Sequence, residues 1–202
     1  MGVYQIVGKR LFDMVVSIFF LVVLFPLLIV VALLIKLDSP GPVFFIQDRM
    51  GKGGRNFRLM KFRTMYVDKV EESKFFAPGS TMRITRCGKI LRDTKIDELP
   101  QLINVLKGEM SFVGPRPEVS KYRHVYRGMF EQVLTLKPGI TDWASIKYRN
   151  EEELLCKSGN PEVMYEKEVL PDKLKMAVEY KKEIGFMNDM KILITTLLRV
   201  IR

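Results

Sequence analysis

The longest apolar stretch of the sequence lies close to its N-terminus. Between Met14 and Ile35 no residue is charged, and only Ser17 and Pro26 are not strongly apolar. A helix of this length reaches roughly 33 Å, enough to cross a hydrocarbon core of about 30 Å. A signal peptide is the weaker interpretation, because the apolar stretch is too long and no A-x-A-like cleavage site follows it. The pattern therefore predicts a membrane-associated chain.

Pro26 interrupts the predicted membrane segment, residues 11–36, near its middle. A proline there removes a backbone donor and clashes with the preceding turn. The segment is therefore either a kinked span or a helix that enters, breaks and leaves on the same side. Basic residues flank both ends, which favours the re-entrant shape by the positive-inside rule; they are Lys9, Arg10, Lys36, Arg49, Lys52 and Arg55. A kinked span is nevertheless the commoner outcome for a lone proline.

A small β-hairpin is predicted after the membrane segment. Residues 43–46 form a short apolar run, residues 51–54 form a glycine-rich turn, and residues 57–62 are predicted to be the returning strand. Residues 66–82 are polar and predict a loop or a short helix. Residues 84–92 mix apolar and basic positions and predict a short basic helix.

The clearest helix signal comes in the middle of the chain. An apolar stripe at helical spacing is formed by Leu99, Leu102, Ile103 and Leu106. Asp97 stands where an N-cap belongs, Pro100 lies in the tolerated first turn, and Gly108 can close the C-terminal end. The pattern therefore predicts a helix that begins at Asp97.

The C-terminal half predicts further helices. Residues 114–117 are too rich in proline for a helix or a strand, whereas residues 118–136 are predicted to be helical, and residues 138–139 signal a turn. Residues 186–201 have the pattern of an amphipathic helix. That helix suits a membrane interface, but the sequence equally allows a terminal helix that packs on the core.

Composition narrows the function classes. The chain has 202 residues, which suits one domain. Its net charge of +10 suits an anionic partner, such as a lipid surface or a phosphorylated substrate. Two distant cysteines and one histidine make a disulfide framework, a structural zinc site and a Ser-His-Asp triad poor interpretations. No P-loop, GxGxxG or RNA-binding signature is present, so we expect no nucleic acid partner.

Asp97 and Glu98 are the most suggestive pair for chemistry. The N–H groups and the dipole at a helix start favour negative charge and can also bind a phosphate. A carboxylate beside a phosphate site can attack phosphorus, and two adjacent carboxylates suit Mg²⁺. By itself, however, the pair is better explained as ordinary helix-start chemistry.

Basic residues around the pair change that balance. Lys61 and Arg63 end the predicted hairpin, and Arg116 stands between two prolines. Further basic residues lead directly into the pair: Arg83, Arg86, Lys89, Arg92 and Lys95. Such a cluster fits a diphosphate substrate, with arginine making bidentate contacts. The alternative to a substrate site is that these residues form a solvated basic surface, or that they attract anionic lipid.

At this point the chain resembles a known family, the bacterial monotopic phosphoglycosyl transferases, also called initiating sugar transferases. The resemblance follows the family's order over nearly the whole chain, and its longest part is residues 97–117. The matching stretches are residues 9–13, 41–45, 61–65, 97–102, 104–108, 110–117, 138–141 and 189–192. The chain looks like the minimal catalytic unit, without the extra membrane helices of larger relatives.

The resemblance implies transfer of a sugar phosphate from a UDP-sugar to undecaprenyl phosphate, with release of UMP and a requirement for Mg²⁺. Asp97 would be the nucleophile and Glu98 would hold Mg²⁺ with it. Arg116, Lys61, Arg63 and Arg92 would contact phosphates. The family's membrane segment is a re-entrant helix broken at a proline that matches Pro26.

The sequence departs from the family pattern at three places. Many members have Ser where this chain has Phe25, and many have Asp where it has Ala177. Residues 142–149 also differ from the usual Gly-Trp-Ala-Gln-Val-Asn-Gly-Arg. The resemblance therefore does not assign the sugar.

The predicted fold is α+β and mostly α. It comprises a re-entrant membrane helix in residues 1–40, and a catalytic domain in residues 41–202 with a small β-hairpin. Interfacial amphipathic helices surround the helix start that carries Asp97. The expected location is the cytoplasmic face of a bacterial inner membrane, in contact with membrane lipids. A catalytically inert scaffold that binds anionic lipid is the alternative from another class.

Overall fold

The computed structural model describes residues 4–67 and 84–201, and these are mostly helical. The α-helices are α1 (Lys9–Val23), α2 (Phe25–Asp38), α3 (Arg86–Asp93), α4 (Gln101–Lys107), α5 (Trp143–Lys147), α6 (Glu151–Cys156), α7 (Pro161–Met164), α8 (Leu170–Lys182) and α9 (Phe186–Ile201). The strands are β1 (Phe44–Met50), β2 (Asn56–Phe62), β3 (Ser111–Val113) and β4 (Gly139–Thr141). The prediction of a mostly helical α+β fold is confirmed. The predicted loop or short helix at residues 66–82, and Arg83, lie largely or wholly outside the described residues.

The predicted membrane segment forms two helices, α1 and α2, that meet at an angle. Pro26 lies in the first turn of α2, where its missing N–H costs no helical bond, and the pair is bent by 62° at the break next to Leu24. Within the described residues no single helix is long and apolar enough to cross a membrane, whereas this bent pair together passes that test. Most of its large apolar side chains are exposed, Leu37 most of all at 85%.

Polar contacts fix α1 to the rest of the fold. Asp13 is buried and accepts a hydrogen bond from the backbone N–H of Phe112 at 3.1 Å, which joins α1 to β3. Lys9 forms a 2.5 Å ion pair with the buried Asp189 on α9, and Tyr4 and Tyr180 donate to the same carboxylate. The start of the helix pair is therefore attached both to the central strands and to the C-terminal helix.

The predicted hairpin is confirmed and is longer than its apolar pattern indicates. β1 pairs antiparallel with β2 from Phe44 opposite Phe62 to Met50 opposite Asn56. Gly53 and Gly54 both have φ +70° at the turn, a conformation that glycine adopts without a Cβ penalty. Phe57, Leu59 and Phe62 of β2 are buried, so this strand carries the inner face of the hairpin.

A second, parallel pair of strands was not predicted. β3 lies beside β4, with Ser111 opposite Gly139 and Val113 opposite Thr141. The chains approach so closely beyond β3 that a Cβ on Gly139 would lie 2.2 Å from the backbone nitrogen of Gly114. Only glycine fits here, and the contact fixes where the segment after β3 leaves the sheet.

The predicted helix at residues 118–136 is wrong for the α type. The structure has two 3₁₀ segments instead, Ser120–Val125 and Gly128–Thr135. They are separated by Tyr126, whose ψ of 61° is not helical, and by Arg127, whose ψ is 158°. Gly128, which begins the second segment, has a φ of +58°. A left-handed residue cannot continue an α-helix, so the helical composition of this stretch is divided into short turns.

The core is built mainly where α8, α9 and α4 meet the strands. Leu170, Leu174 and Val178 of α8 pack with Tyr122 and Tyr165 in one cluster. In a second cluster, residues of α4, β2 and β3 pack with Tyr180 and with Ile192 of α9: they are Phe57, Leu59, Leu102, Val105, Met110, Phe112 and Val113. The predicted amphipathic C-terminal helix is confirmed, with a buried side at Ile192 and an exposed apolar side at Met187 and Leu197.

Candidate active site

The backbone that carries Asp97 and Glu98 is a short 3₁₀ turn, Ile96–Glu98, placed before α4. Lys95, just ahead of it, has a left-handed backbone with φ +59°. α4 begins at Gln101, with Pro100 as the residue preceding it. The prediction that Asp97 is the N-cap of this helix is therefore wrong: Asp97 lies inside the 3₁₀ turn, and the N–H of Leu102 bonds back to the carbonyl of Leu99, only three residues earlier, at 3.0 Å.

Asn104 attaches α4 to the edge of β2. Its side-chain oxygen accepts from the backbone N–H of Met60 at 3.1 Å, and its amide nitrogen donates to the backbone oxygen of Arg58 at 2.8 Å. The side chain thus bonds the strand as a neighbouring strand would. It fixes α4, which follows the acidic pair, against the strand that carries Lys61. No sequence pattern above assigns this role to Asn104. The signal that could have indicated it is a polar residue on a helix whose neighbouring positions are apolar.

The C-terminal end of α4 is held by Arg10 of α1. Nη1 of Arg10 donates to the carbonyl of Val105 at 2.6 Å and Nη2 donates to that of Leu106 at 2.8 Å. Gly108 ends the helix with φ +84°, as predicted. A cation at these carbonyls also complements the helix dipole, so α4 is fixed at its C-terminal end by the first turn of the apolar pair.

Glu98 lies at the centre of an ion-pair network. Its Oε1 accepts from Nζ of Lys61 at 2.8 Å and from Nη2 of Arg116 at 2.6 Å, while Oε2 lies 3.4 Å from Nη1 of Arg116. Burial opposes ionisation of Glu98, but Arg116 and Lys61 outweigh it and hold the pKa of this carboxyl well below its usual value of 4.5. Glu98 is therefore an ionised counter-ion that keeps two cations together.

Asp97 is in a different state from its neighbour. It is 7% exposed, and within the described residues its buried Oδ1 atom has no hydrogen-bond partner. Burial raises the pKa of Asp97, an effect that the nearby Lys61 opposes and the Glu98 carboxylate reinforces. A buried carboxylate oxygen without a partner is costly to the fold. Such an atom is available to a ligand or to a reacting centre.

Arg116 is positioned by the segment that follows β3. Its backbone N–H donates to Oδ2 of Asp142 at 3.3 Å, and Oδ1 of the same Asp142 caps α5 through the N–H of Ser145 at 2.6 Å. The next carbonyl, of Pro117, accepts from Arg49 at 3.1 Å. Glu98 raises the pKa of Arg116, which is thus fully charged. Asp142 lies in the stretch that departs from the family pattern, and its link to Arg116 could not be read from the sequence.

Arg63, which the sequence groups with Lys61 as an expected phosphate contact, does not join the network at Glu98. It is 4% exposed, and its terminal nitrogens donate to carbonyls at the end of α2: Nη1 to Pro40 at 2.6 Å and Nη2 to Ser39 at 2.7 Å. The cation therefore satisfies the orphan carbonyls of a helix C-terminus. Lys61, two residues earlier on the same strand, is the basic residue that β2 supplies to Glu98.

Arg92 lies on α3, the predicted basic helix, which is confirmed. Its Nε donates to the hydroxyl of Thr64 at 3.0 Å, and the N-cap of α3 is Thr85, whose hydroxyl accepts from the N–H of Gly88. The described structure thus brings Lys61 and Arg116 into direct contact with Glu98. It ties Arg92 to the segment after β2.

The acidic pair fits magnesium in part. Mg²⁺ in proteins is usually held by one or two carboxylates together with substrate phosphates and water. Among the described residues Oδ1 of Asp97 has no partner and so suits this role, and Oε2 of Glu98 has the longer contact to Arg116. Among residues 4–67 and 84–201 no group of three or more His, Cys, Asp or Glu side chains is clustered for a metal. The donor set therefore fits an ion that also binds the substrate.

The sequence is similar to those of known bacterial sugar transferases. The sequence model of a family described as bacterial sugar transferase matches residues 4–202. An N-acetylgalactosaminephosphotransferase of Aeromonas hydrophila, named for UDP-N-acetylgalactosamine and undecaprenyl phosphate, is 43% identical over 68% of this chain and 33% of its own length. Proteins named UDP-glucose:undecaprenyl-phosphate glucose-1-phosphate transferase are 36% identical in Xanthomonas campestris pv. campestris and 37% identical in Escherichia coli K12. These cover 98% and 95% of this chain, which spans 40% and 39% of their lengths.

Proposed function

The chain belongs to the bacterial sugar transferase family, and on that premise we propose that it transfers a sugar phosphate from a UDP-sugar to undecaprenyl phosphate. The products are UMP and an undecaprenyl diphosphate sugar. Relatives that are named for this reaction use either glucose or N-acetylgalactosamine donors, so the proposal leaves the sugar open. The reaction would supply the first lipid-linked sugar of a glycoconjugate.

The observation that carries the proposal is the contrast between the two acids of the pair. Glu98 forms ion pairs with two cations, whereas Asp97 beside it keeps a buried oxygen without a partner in the described structure. A fold that needed these acids only for stability would pair both of them. The contrast supports Asp97 as the nucleophile and Glu98 as the group that organises the cations.

In the first step an Oδ atom of Asp97 attacks the sugar-proximal phosphorus of the donor. The bond from that phosphorus to the oxygen bridging the two phosphates breaks, UMP leaves with that oxygen, and a phosphosugar remains on Asp97. In the second step an oxygen of undecaprenyl phosphate attacks the same phosphorus. The bond to Asp97 breaks, the carboxylate is regenerated, and the lipid diphosphate sugar forms.

Lys61 and Arg116 would stabilise the charge that develops on the phosphates. Their donors converge on one carboxylate, so they are already fixed before any substrate arrives. Preorganised cations in a partly dry site lower the barrier without reorganising during the reaction. Arg116 can offer a planar fork to a phosphate, whereas Lys61 acts as a point charge. Arg92 supports the Thr64 end of the same region.

We infer that Asp97 and Glu98 together hold Mg²⁺ when the donor is bound. The ion would neutralise phosphate charge and orient the diphosphate. The pair supplies the number of carboxylates that Mg²⁺ ordinarily uses, and the partnerless Oδ1 of Asp97 is the more available ligand atom.

We also infer that α1 and α2 form a re-entrant membrane helix at the cytoplasmic face of the inner membrane. The 62° bend and the exposed apolar side chains on both helices support this placement. Both ends of the two-helix segment also bond to the domain that carries Asp97 and Glu98. Arg10 of α1 bonds the end of α4, and Arg63 of that domain bonds the end of α2. The exposed apolar side of α9 would rest in the lipid interface.

The decisive experiment measures release of UMP from a panel of UDP-sugars by the purified chain in nanodiscs that contain undecaprenyl phosphate. We expect one or a few donors to release UMP and to give a lipid diphosphate sugar in equal amount. A chain that binds anionic vesicles but releases no UMP from any donor would instead be the inert scaffold.

A further inference from the structure

The end of β2 connects three parts of the molecule within four residues. Lys61 bonds Glu98 of the candidate active site, Arg63 bonds the end of α2, and Thr64 accepts from Arg92 of α3. The backbone N–H of Arg63 donates to the carbonyl of Val43 at 2.9 Å and so continues the hairpin ladder past β2. This segment is therefore held in an extended form between the apolar helix pair and the acidic pair.

Arg63 is built into the C-terminal end of α2 as a fixed part. Besides the carbonyls of Pro40 and Ser39, its Nη2 donates to the Ser39 hydroxyl at 2.9 Å and lies 3.4 Å from the Ile35 carbonyl. Gly41 has φ +124°, and a Cβ there would lie 2.0 Å from Nη1 of Arg63. A side chain at position 41 would therefore displace the guanidinium, so the backbone itself makes room for this contact.

The segment that joins this contact to the acidic pair, residues 61–63, is short and is held in an extended form. Residues two apart in a strand are separated by about 6.6 Å and point to the same face. Lys61 is itself paired in the hairpin register, opposite Phe45. A shift at the end of α2 is therefore transmitted through a single intervening residue, Phe62, to the lysine that contacts Glu98.

We propose that Arg63 is a positioning residue. It couples the seating of α2, by which we mean the packing of its C-terminal end against Arg63, to the placement of Lys61 beside Glu98. The proposal rests on the proposed function, because it assumes that Lys61 meets the donor diphosphate. Coupling between two sites is reciprocal in binding free energy. Ligand binding at the acidic pair should therefore strengthen the seating of α2, and loss of Arg63 should remove that response.

Hydrogen exchange of the backbone amides in residues 35–41 measures the seating, with UDP and Mg²⁺ as the probe, for the full chain in nanodiscs. In the wild type we expect UDP to slow exchange in this segment. In Arg63→Gln and in Arg63→Lys, which keeps the charge but not the fork, we expect UDP to bind without slowing it. Arg55→Gln, which removes an exposed arginine from the turn of the same hairpin, should respond as the wild type does.

The kinetic constants give a second test. Because misplaced Lys61 should weaken transition-state contacts, we expect Arg63→Lys to lower kcat about tenfold, with the donor KM changed less than twofold. A raised KM with unchanged kcat would mean that Arg63 binds phosphate directly and would overturn the proposal. So would binding of UDP to the wild type with no change of exchange at residues 35–41. Failure of the wild type to bind UDP at all would overturn the proposed donor class as well.

Discussion

Arg116 grips Glu98 with both of its terminal nitrogens, Nη2 at 2.6 Å from Oε1 and Nη1 at 3.4 Å from Oε2. The guanidinium of Arg116 therefore bonds the second acid of the pair, Glu98. The first acid, Asp97, keeps a buried oxygen that no described residue bonds. Two adjacent carboxylates are thereby given different states. Glu98 is the counter-ion of two cations, and Asp97 is the group that we propose as the nucleophile.

Asp97→Asn should abolish transfer while the chain remains folded. The amide keeps the size of the side chain but has no nucleophilic charge, so we expect a loss of at least about 10³-fold in kcat. Intact-mass spectrometry of the wild type with UDP-sugar and no lipid acceptor should show a phosphosugar adduct, located at Asp97 after digestion. Asp93→Asn, at an exposed position four residues earlier, is the matched control and should keep activity. Turnover by Asp97→Asn near the wild-type rate would remove Asp97 from this role.

The same Asp97→Asn variant should be more stable than the wild type at pH 7. Burial raises the pKa of Asp97, so the folded state loses stability as the pH rises from the ordinary value of 3.8 through the raised value. The amide removes this cost of an ionised, partnerless oxygen, which is worth about 1–3 kcal/mol. Thermal unfolding in detergent at pH 7 measures the gain. An equal or lower midpoint for the variant would contradict the assignment of Asp97 as a destabilising group.

Glu98→Gln should show the opposite sign. The cations hold the pKa of Glu98 below 4.5, so its contribution to stability is present above that pH and is lost as the pH falls through the lowered value. We expect the variant to be about 2 kcal/mol less stable than the wild type at pH 7, since it loses charge-assisted bonds to Arg116 and Lys61. The difference should shrink as the pH falls below 4.5, because the carboxyl then protonates in the unfolded chain before it does so in the folded one, and it should be lost below the lowered pKa. A difference that is independent of pH would mean that the ion pairs contribute no net stability.

Arg116→Lys should lower activity although it keeps the charge. Lysine cannot reproduce the planar fork that meets Glu98 and would meet a phosphate. Loss of one charge-assisted bond of about 1.5–3 kcal/mol corresponds to a fall of roughly 10- to 100-fold in kcat/KM. Arg123→Lys, at an arginine that bonds the carbonyl of Gly54 in the hairpin turn, is a suitable control. Equal kcat/KM values for Arg116→Lys and the wild type would exclude a role for the fork.

The elements that sequence patterns predicted are those set by local signals. Two short runs rich in apolar residues and a glycine-rich turn between them define the hairpin, and Gly108 ends α4 with the positive φ that its position requires. The left-handed Lys95 has no such signal, because nothing in its side chain demands φ +59°. For that reason the 3₁₀ turn at Asp97 was mistaken for the start of α4.

The rest of the site depends on contacts between distant parts of the chain. β3 and β4 have three residues each, too few for alternation to be visible, and they pair in parallel across a separation of 28 residues between Ser111 and Gly139. Arg63 and Lys61 look alike in the sequence, two basic residues on one strand. Only the position of the α2 carbonyls decides that the first caps a helix and the second meets Glu98.

The topology of α1 and α2 can be tested by cysteine labelling. A re-entrant pair keeps both ends in the cytoplasm, whereas a spanning pair places residues 1–10 outside. We expect a cysteine at Gly2, in a Cys87→Ser and Cys156→Ser background, to be protected from a membrane-impermeant maleimide in intact spheroplasts and labelled after lysis. A cysteine at Gly159, where a Cβ meets nothing within 4 Å, is the internal control for a cytoplasmic site.

Pro26→Leu should restore a backbone donor, straighten the break at Leu24 and expose part of the Gly2 cysteine population. Phe25→Leu, its neighbour, keeps the proline and should remain protected. Labelling of the Gly2 cysteine in intact spheroplasts with Pro26 in place would mean that the pair spans the membrane. Arg10 would then lie on the opposite side of the membrane from α4, and the bonds between them could not form.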